Sequence, residues 1–182
     1  CIEAGAIGQD IADKLEKVGL TMGHHPDSEE FSSIGGWVST RASGMKKNVY
    51  GNIEDIVVNF KLVTPTGILQ TGGDFPRISA GPAVMQMAMG AEGTLGVVTE
   101  VLVRLRAKPV TQKYSSVVFA DFTHGVMAMR EVARRRCAPA SIRLMDNMQF
   151  QFGQALKAQS DNPMRDEIMG TIQKAYLFNW EK

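Results

Sequence analysis

The sequence predicts an α+β chain of two unlike parts, and three observations carry that expectation. An apolar stripe at helical spacing opens the chain, β-type runs follow, and a strand–helix–strand–helix order comes after them. The first two are the stripe with its β-type runs and the strand–helix alternation that follows; the third is the distribution of glycine and charge. Fifteen of the 18 glycines lie in residues 1–109, where 10 basic face 12 acidic side chains, against 10 and 7 beyond. We expect a boundary near Lys108-Pro109, because proline cannot continue a central strand ladder.

Ile7, Ile11, Leu15 and Val18 recur on one helical face, so a helix is expected from about Gly8 to Val18, with Gly19 as its stop. Ile56 to Val63 is a mostly apolar run rich in Ile and Val, as in a buried strand. Thr64-Pro65-Thr66-Gly67 has the proline and glycine of a turn, and Ile68 to Thr71 reads as the returning strand. Gly96 to Arg106 alternates Val97, Thr99, Val101, Val103 and Leu105 against Val98, Glu100, Leu102, Arg104 and Arg106, the clearest strand in the chain. Past the boundary, Tyr114 to Phe119 and Ser141 to Met145 read as strands. Asp121 and Asp146 then cap helices running to about Arg136 and Lys157. A last helix is expected over roughly Met164 to Phe178, with Ile168, Ile172 and Tyr176 on one stripe.

Composition bounds the function. With 20 basic and 19 acidic side chains in 182 residues, the chain lacks the basic excess of a dedicated nucleic-acid binder. There is no run of eighteen apolar residues to form a transmembrane helix. Cys1 and Cys137 cannot build a disulfide framework, which fits a reducing compartment better. A chain that opens on Cys and stops mid-pattern at Leu177 to Lys182 reads as a fragment or a processed piece.

Two glycine-rich segments hold most of the chemical information. The first, Pro26 to Gly44, combines Gly35, Gly36 and Gly44 with hydroxyls at Ser28, Ser32, Ser33, Ser39, Thr40 and Ser43. A backbone that approaches a phosphate closely needs glycine, and its N–H groups and hydroxyls bind the oxygens. An unliganded surface loop would look the same. The second, Met89 to Glu100, places Gly90, Gly93 and Gly96 before the strongest strand, with Glu92 among them. Neither a dinucleotide fingerprint, a P-loop nor a serine-hydrolase elbow is present. His24-His25 and His124 lack partners at ligand spacing, so no metal is expected. Met85, Met87 and Met89 read as core filling, and Arg134-Arg135-Arg136 as a solvated helix end. Arg143 is set within a short apolar strand, where a guanidinium has either a fixed anionic ligand or a structural salt bridge.

These segments together resemble the flavin-binding domain of the vanillyl-alcohol oxidase superfamily. The runs Pro26-Asp27-Ser28 through Asn48 and Arg136 through Asn147 resemble, within it, the alkyldihydroxyacetonephosphate synthases, over about residues 2–157. The resemblance implies the C-terminal half of a PCMH-type FAD-binding domain over 1–109, followed by the start of an α+β substrate or cap domain over 110–182. It implies an FAD enzyme that exchanges the acyl chain of acyl-dihydroxyacetone phosphate for a long-chain fatty alcohol, with no net redox. The flavin of such enzymes holds the dihydroxyacetone-phosphate carbon covalently while the chains exchange.

Position by position, the resemblance implies that Asp27, Ser28, Glu29, Glu30, Phe31, Ser32 and Ser33 line the FAD. Thr40, Arg41, Ala42 and Ser43 would contact the flavin or its pyrophosphate. Glu92, Gly93, Thr94, Leu95, Gly96, Val97 and Val98 would form a further contacting stretch. Ser33 stands where many relatives have Thr, and Ala91 where they have Ser. Arg143 would be catalytic, holding the substrate phosphate or offsetting charge on the reduced flavin. The pyrophosphate loop would lie before Cys1, and the general-base tyrosine and histidine cluster after Lys182. The 182 residues alone are then expected to bind FAD weakly and not to turn over. The resemblance further implies a peroxisomal enzyme with peripheral membrane contact, and allows a homodimer. Two competing expectations are an FAD-dependent D-2-hydroxyacid dehydrogenase of the same fold and an inactive lipid- or partner-binding relative.

Overall fold

Strand pairing between two distant runs organises the first part of the molecule. β3 (Val57–Thr64) and β5 (Val97–Val103) are antiparallel, with Phe60 opposite Val101, both almost fully buried. β1 (Ile2–Glu3) adds to the outside of β5, and β4 (Gly67–Leu69) returns beside β3 through the turn at Thr64. The sheet order is β1-β5-β3-β4. This computed structural model describes residues 1–70, 73 and 75–156; Thr71, Lys157 and the helix expected over Met164 to Phe178 lie outside the described residues.

The described chain falls into two compact units, residues 1–113 with 138–142, and 114–137 with the described residues from 143 to 156. In the first unit, α1 (Gly8–Lys17) forms where its stripe predicts, and Gly19 takes the left-handed φ of 69° that ends it. Its Ile11 joins a core with Ile53, Ile56, Phe60, Leu62 and Val101. Asn48 ties residues 138–142 to this unit through a 3.0 Å hydrogen bond to the Pro139 carbonyl.

The glycine-rich block is not a loop throughout. α2 (Ile34–Thr40) forms inside it, capped by the Ser33 hydroxyl, which accepts from Gly36 N–H at 3.3 Å. Two successive glycines disfavour a helix intrinsically. Burial overrides that: Ile34, Trp37 and Val38 are at most 2% exposed, and each such side chain contributes about 2 kcal/mol. Three short helices, α3 (Lys47–Tyr50), α4 (Ile53–Ile56) and α5 (Val84–Ala88), also escape the sequence pattern. In α5 the alternate methionines diverge, because spacing of two cannot share a helical face. Met89 is buried as expected for core filling, but Met87 is 74% exposed and is not.

The strand expected to run unbroken to Arg106 divides. β5 ends at Val103, Arg104 N–H bonds to Ile56 at 2.9 Å, and β6 (Arg106–Ala107) pairs with β2 (Leu20–Thr21) instead. A period of two reports which face a residue takes, not which strand accepts its hydrogen bonds.

In the second unit, α6 (Phe122–Arg135) starts at Asp121, whose carboxylate accepts from His124 N–H at 2.9 Å. Hydrogen bonds from that backbone and from the His124 ring hold the Asp121 carboxyl below its usual range. The helix ends at Arg136 in the left-handed region, φ 53°, and Glu131 pairs with both Arg134 and Arg135, as befits a solvated end. α7 (Asn147–Ala155) begins at Asp146, which accepts from Gln149 N–H at 2.7 Å. Tyr114 to Phe119 and Ser141 to Met145 form no strand among the described residues. Phe119 and Leu144 instead pack against Gly125, where a Cβ would lie 2.6 Å from Leu144 Cδ1. Their apolar pattern records contact with α6, which a strand-like sequence cannot distinguish from sheet pairing.

Gly35 is a tight seat against another segment of the first unit: a Cβ there would stand 2.7 Å from Ala4 Cβ and 2.9 Å from its carbonyl. Gly35→Ala is therefore expected to destabilise the protein by about 2 kcal/mol, lowering the melting temperature by roughly 4–8 °C in a calorimetric scan.

Candidate functional site

A groove of about 330 Å³ opens in the first unit. Its walls are Ala4 and Gly5 after β1, Ser33, Gly35, Gly36 and Ser39 of the α2 region, and Gly93, Gly96, Val97 and Val98 leading into β5. Half of these ten positions are glycine, so backbone forms much of the wall. A Cβ built on Gly5 or Gly93 would meet nothing within 4 Å.

Sequence-local geometry delivers these pieces. Ser28 to Ser32 close a turn through the bonds Phe31 N–H to Ser28 O, 3.0 Å, and Ser32 N–H to Ser28 O, 2.9 Å. The Ser32 hydroxyl also donates to the Ser28 carbonyl at 2.7 Å and accepts from the Trp37 indole at 2.7 Å. That turn leads into Ser33 at the groove. The second piece is the turn Ala91 to Thr94, held by Thr94 N–H on the Ala91 carbonyl at 2.9 Å. Glu92 and Gly93 there adopt φ of 49° and 83°. A β-bulge opposite Lys61 and Leu62, where Thr99 is passed over, directs the start of β5 toward the groove.

Of the residues picked out from the sequence, Ser33, Gly93, Gly96, Val97 and Val98 come together at the groove. Asp27, Ser28, Glu29, Glu30, Phe31 and Ser32 form the preceding turn; Thr40, Arg41, Ala42 and Ser43 follow the body of α2. Glu92, Thr94 and Leu95 belong to the same turn as Gly93. Arg143 belongs to the other unit. Gly35, Gly36 and Ser39, noted in the first glycine-rich segment but not assigned to the cofactor residue by residue, also line it, and sequence reading missed Ala4 and Gly5. A two-residue strand leaves almost no trace in a sequence, so Ala4 and Gly5 carried no signal; the hydroxyl of Ser39 did.

His24 was also missed. It is 3% exposed, lies edge-on to Trp37 with ring centroids 5.0 Å apart, and neither ring nitrogen has a hydrogen-bond partner among the described residues. Burial pushes its pKa from 6.5 down to about 4, Glu54 opposes this, and His25 adds to it. His25 instead pairs with Glu29, both half-buried. Two adjacent histidines therefore have opposite fates, which their sequence cannot separate.

The groove suits a cofactor that must touch backbone closely and be held by N–H groups and hydroxyls. Comparison with known proteins agrees. Residues 1–73 match the family described as "FAD binding domain", and residues 108–173 match "FAD linked oxidases, C-terminal domain". The chain belongs to the FAD-linked oxidase class of flavoproteins, with the PCMH-type fold, and FAD is its cofactor.

Within that class the relatives it matches over nearly its whole length include alkyldihydroxyacetonephosphate synthases. It is 52% identical to the alkyldihydroxyacetonephosphate synthase of Caenorhabditis elegans over 179 residues, 98% of this chain and 30% of that protein. It is 38% identical to that of Dictyostelium discoideum over 177 residues, 97% of this chain and 28% of the relative. A solved structure described as alkyldihydroxyacetonephosphate synthase matches with a TM-score of 0.79 at 32% identity, covering 100% of this chain and 32% of that one. The chain thus spans about a third of the length of the relatives it matches.

The buried histidine yields a pH prediction. The unfolded chain takes up a proton at His24 near pH 6.5, whereas the folded chain resists until about 4. Stability fully present above pH 6.5 is therefore lost as pH falls toward 4, by about 2 kcal/mol once residual screening is allowed for. Urea midpoints at pH 7.5 and 4.5 should show a smaller acid loss in His24→Leu than in the parent.

Proposed function

We propose that the protein carrying this chain is an FAD-dependent transferase that exchanges the acyl chain of acyl-dihydroxyacetone phosphate for a long-chain fatty alcohol. The product is alkyl-dihydroxyacetone phosphate, and the exchange has no net redox. The observation that carries this reading is the 52% identity to a synthase across 98% of the chain, which includes every wall of the groove.

In this reading Asp27 to Ser33, Thr40 to Ser43 and Glu92 to Val98 are the segments that build the FAD site, with Gly5, Gly35, Gly36 and Ser39 completing the wall. The bound flavin supplies the chemistry of chain exchange. The protein's own groups do the rest: the glycine wall admits the ring and pyrophosphate, and Ser33 and Ser39 offer hydroxyl donors. Arg143 acts on the substrate, its guanidinium holding the phosphate in a two-pronged contact or offsetting charge at the reaction centre. Lys108-Pro109 separates the FAD-binding part from the start of the substrate domain. We assign the enzyme to the peroxisome, as a peripheral membrane protein able to form a homodimer.

The following measurements test this on protein expressed from the complete reading frame. Incubation with palmitoyl-dihydroxyacetone phosphate and labelled hexadecanol should give labelled alkyl product. Robust dye reduction with D-lactate or D-2-hydroxyglutarate, without exchange, would instead establish a dehydrogenase, and purification without flavin absorbance an inactive relative. Arg143→Lys keeps the charge but not the fork, and should lower kcat/KM for exchange at least ~10-fold. Gly5→Val should weaken FAD binding at least ~10-fold while leaving the melting temperature unchanged, since its side chain enters the open groove rather than the core.

A further inference from the structure

Arg41 is the C-cap of α2 and one of three non-glycine residues with positive φ among the described residues, at 51°. A second is Glu92, at 49°, in the segment bonded to the end of α2. The backbone joins the two segments: Gly90 N–H donates to Val38 O at 3.0 Å, and Glu92 N–H to Ser39 O at 2.9 Å. The Arg41 side chain closes the same joint. Its Nε donates to the Met89 carbonyl at 3.0 Å, and its Nη2 donates to the Gln86 carbonyl. Gly90 lies beneath the stem, where a Cβ would stand 3.0 Å from Arg41 Cγ, and its φ of 84° disfavours any side chain.

Two left-handed non-glycine residues, each costing about 1 kcal/mol or more, persist only where surrounding bonds impose them. Here the imposing bonds lead into Gly93 and Gly96, two walls of the groove. The guanidinium is engaged by the Met89 and Gln86 carbonyls.

We propose that Arg41 is a positioning residue: it acts on the flavin through the Met89–Gly93 turn, which it clamps to the end of α2, rather than by its charge on the cofactor. This rests on the reading of the groove as the FAD site, so the decisive experiment does not need flavin. Amide hydrogen exchange on flavin-free protein should show at least ~10-fold faster exchange at Gly90 and Glu92 in Arg41→Ala, with β3 and β5 amides unchanged. Unchanged Gly90 and Glu92, or equal loss of protection across β3 and β5, overturns the local clamp. FAD titration by quenching of flavin fluorescence supplies the second arm. Arg41→Ala should bind at least ~10-fold more weakly, and Arg41→Lys should recover only part of that, because a single ammonium nitrogen does not reproduce the Nε and Nη2 fork that meets the two carbonyls. Full recovery by Arg41→Lys would show that charge is what matters and overturns the proposal. Failure of the unaltered protein to bind FAD would sink the cofactor reading of the groove, while the exchange result would still decide the clamp.

Discussion

The seating of α2 against its neighbours is the constraint on which the rest of the first unit depends. The helix is short and rich in small residues, and would not persist by propensity alone. It is stitched on one side by Gly35 N–H to Ala4 O, 2.9 Å, and Ile34 N–H to Ala6 O, 3.0 Å. On the other side Val38 and Ser39 carbonyls accept from the Gly90 and Glu92 amides. Between them, Ile34, Trp37 and Val38 fill the core. Removing the Cβ at Gly35 lets the backbones approach, and the groove is the surface left where the segments meet.

The same arrangement explains why the site is built from backbone. Glycines at 5, 35, 36, 93 and 96 line the groove from three separate stretches of chain. Close packing and close approach to a ligand need the same property, absence of a side chain, so one residue type serves both. Trp37 bridges the roles: its indole holds Ser32 in the turn before the groove, while its ring covers buried His24. A neutral histidine under that ring keeps charge out of the core at ordinary pH.

Much of the fold was legible where the signal is local. The stripe through Ile11 and Leu15, the caps Asp121 and Asp146, and the alternation of Val97 to Val103 all depend on residues within one turn or one strand. What escaped depends on partners far along the chain. α2 exists through burial against β5, and Arg104 turns away because Ile56, 48 positions earlier, accepts its N–H. Extended apolar runs near Phe119 and Leu144 found a helix, not a strand, to cover them. At the site, the two glycine segments were visible, but Ala4 and Gly5 were not, because two residues carry no period.

From amino-acid order alone came the α+β class, the two glycine-rich segments, the hydroxyls beside them and the family likeness, since composition, caps and motifs are properties of short stretches. The folded chain settled which of those residues share a groove, which histidine is buried, and that Arg41 spends its donors on two carbonyls. Those outcomes turn on contacts between segments tens of residues apart. Packing and hydrogen-bond satisfaction choose among such contacts, and neither is encoded in any single stretch of sequence.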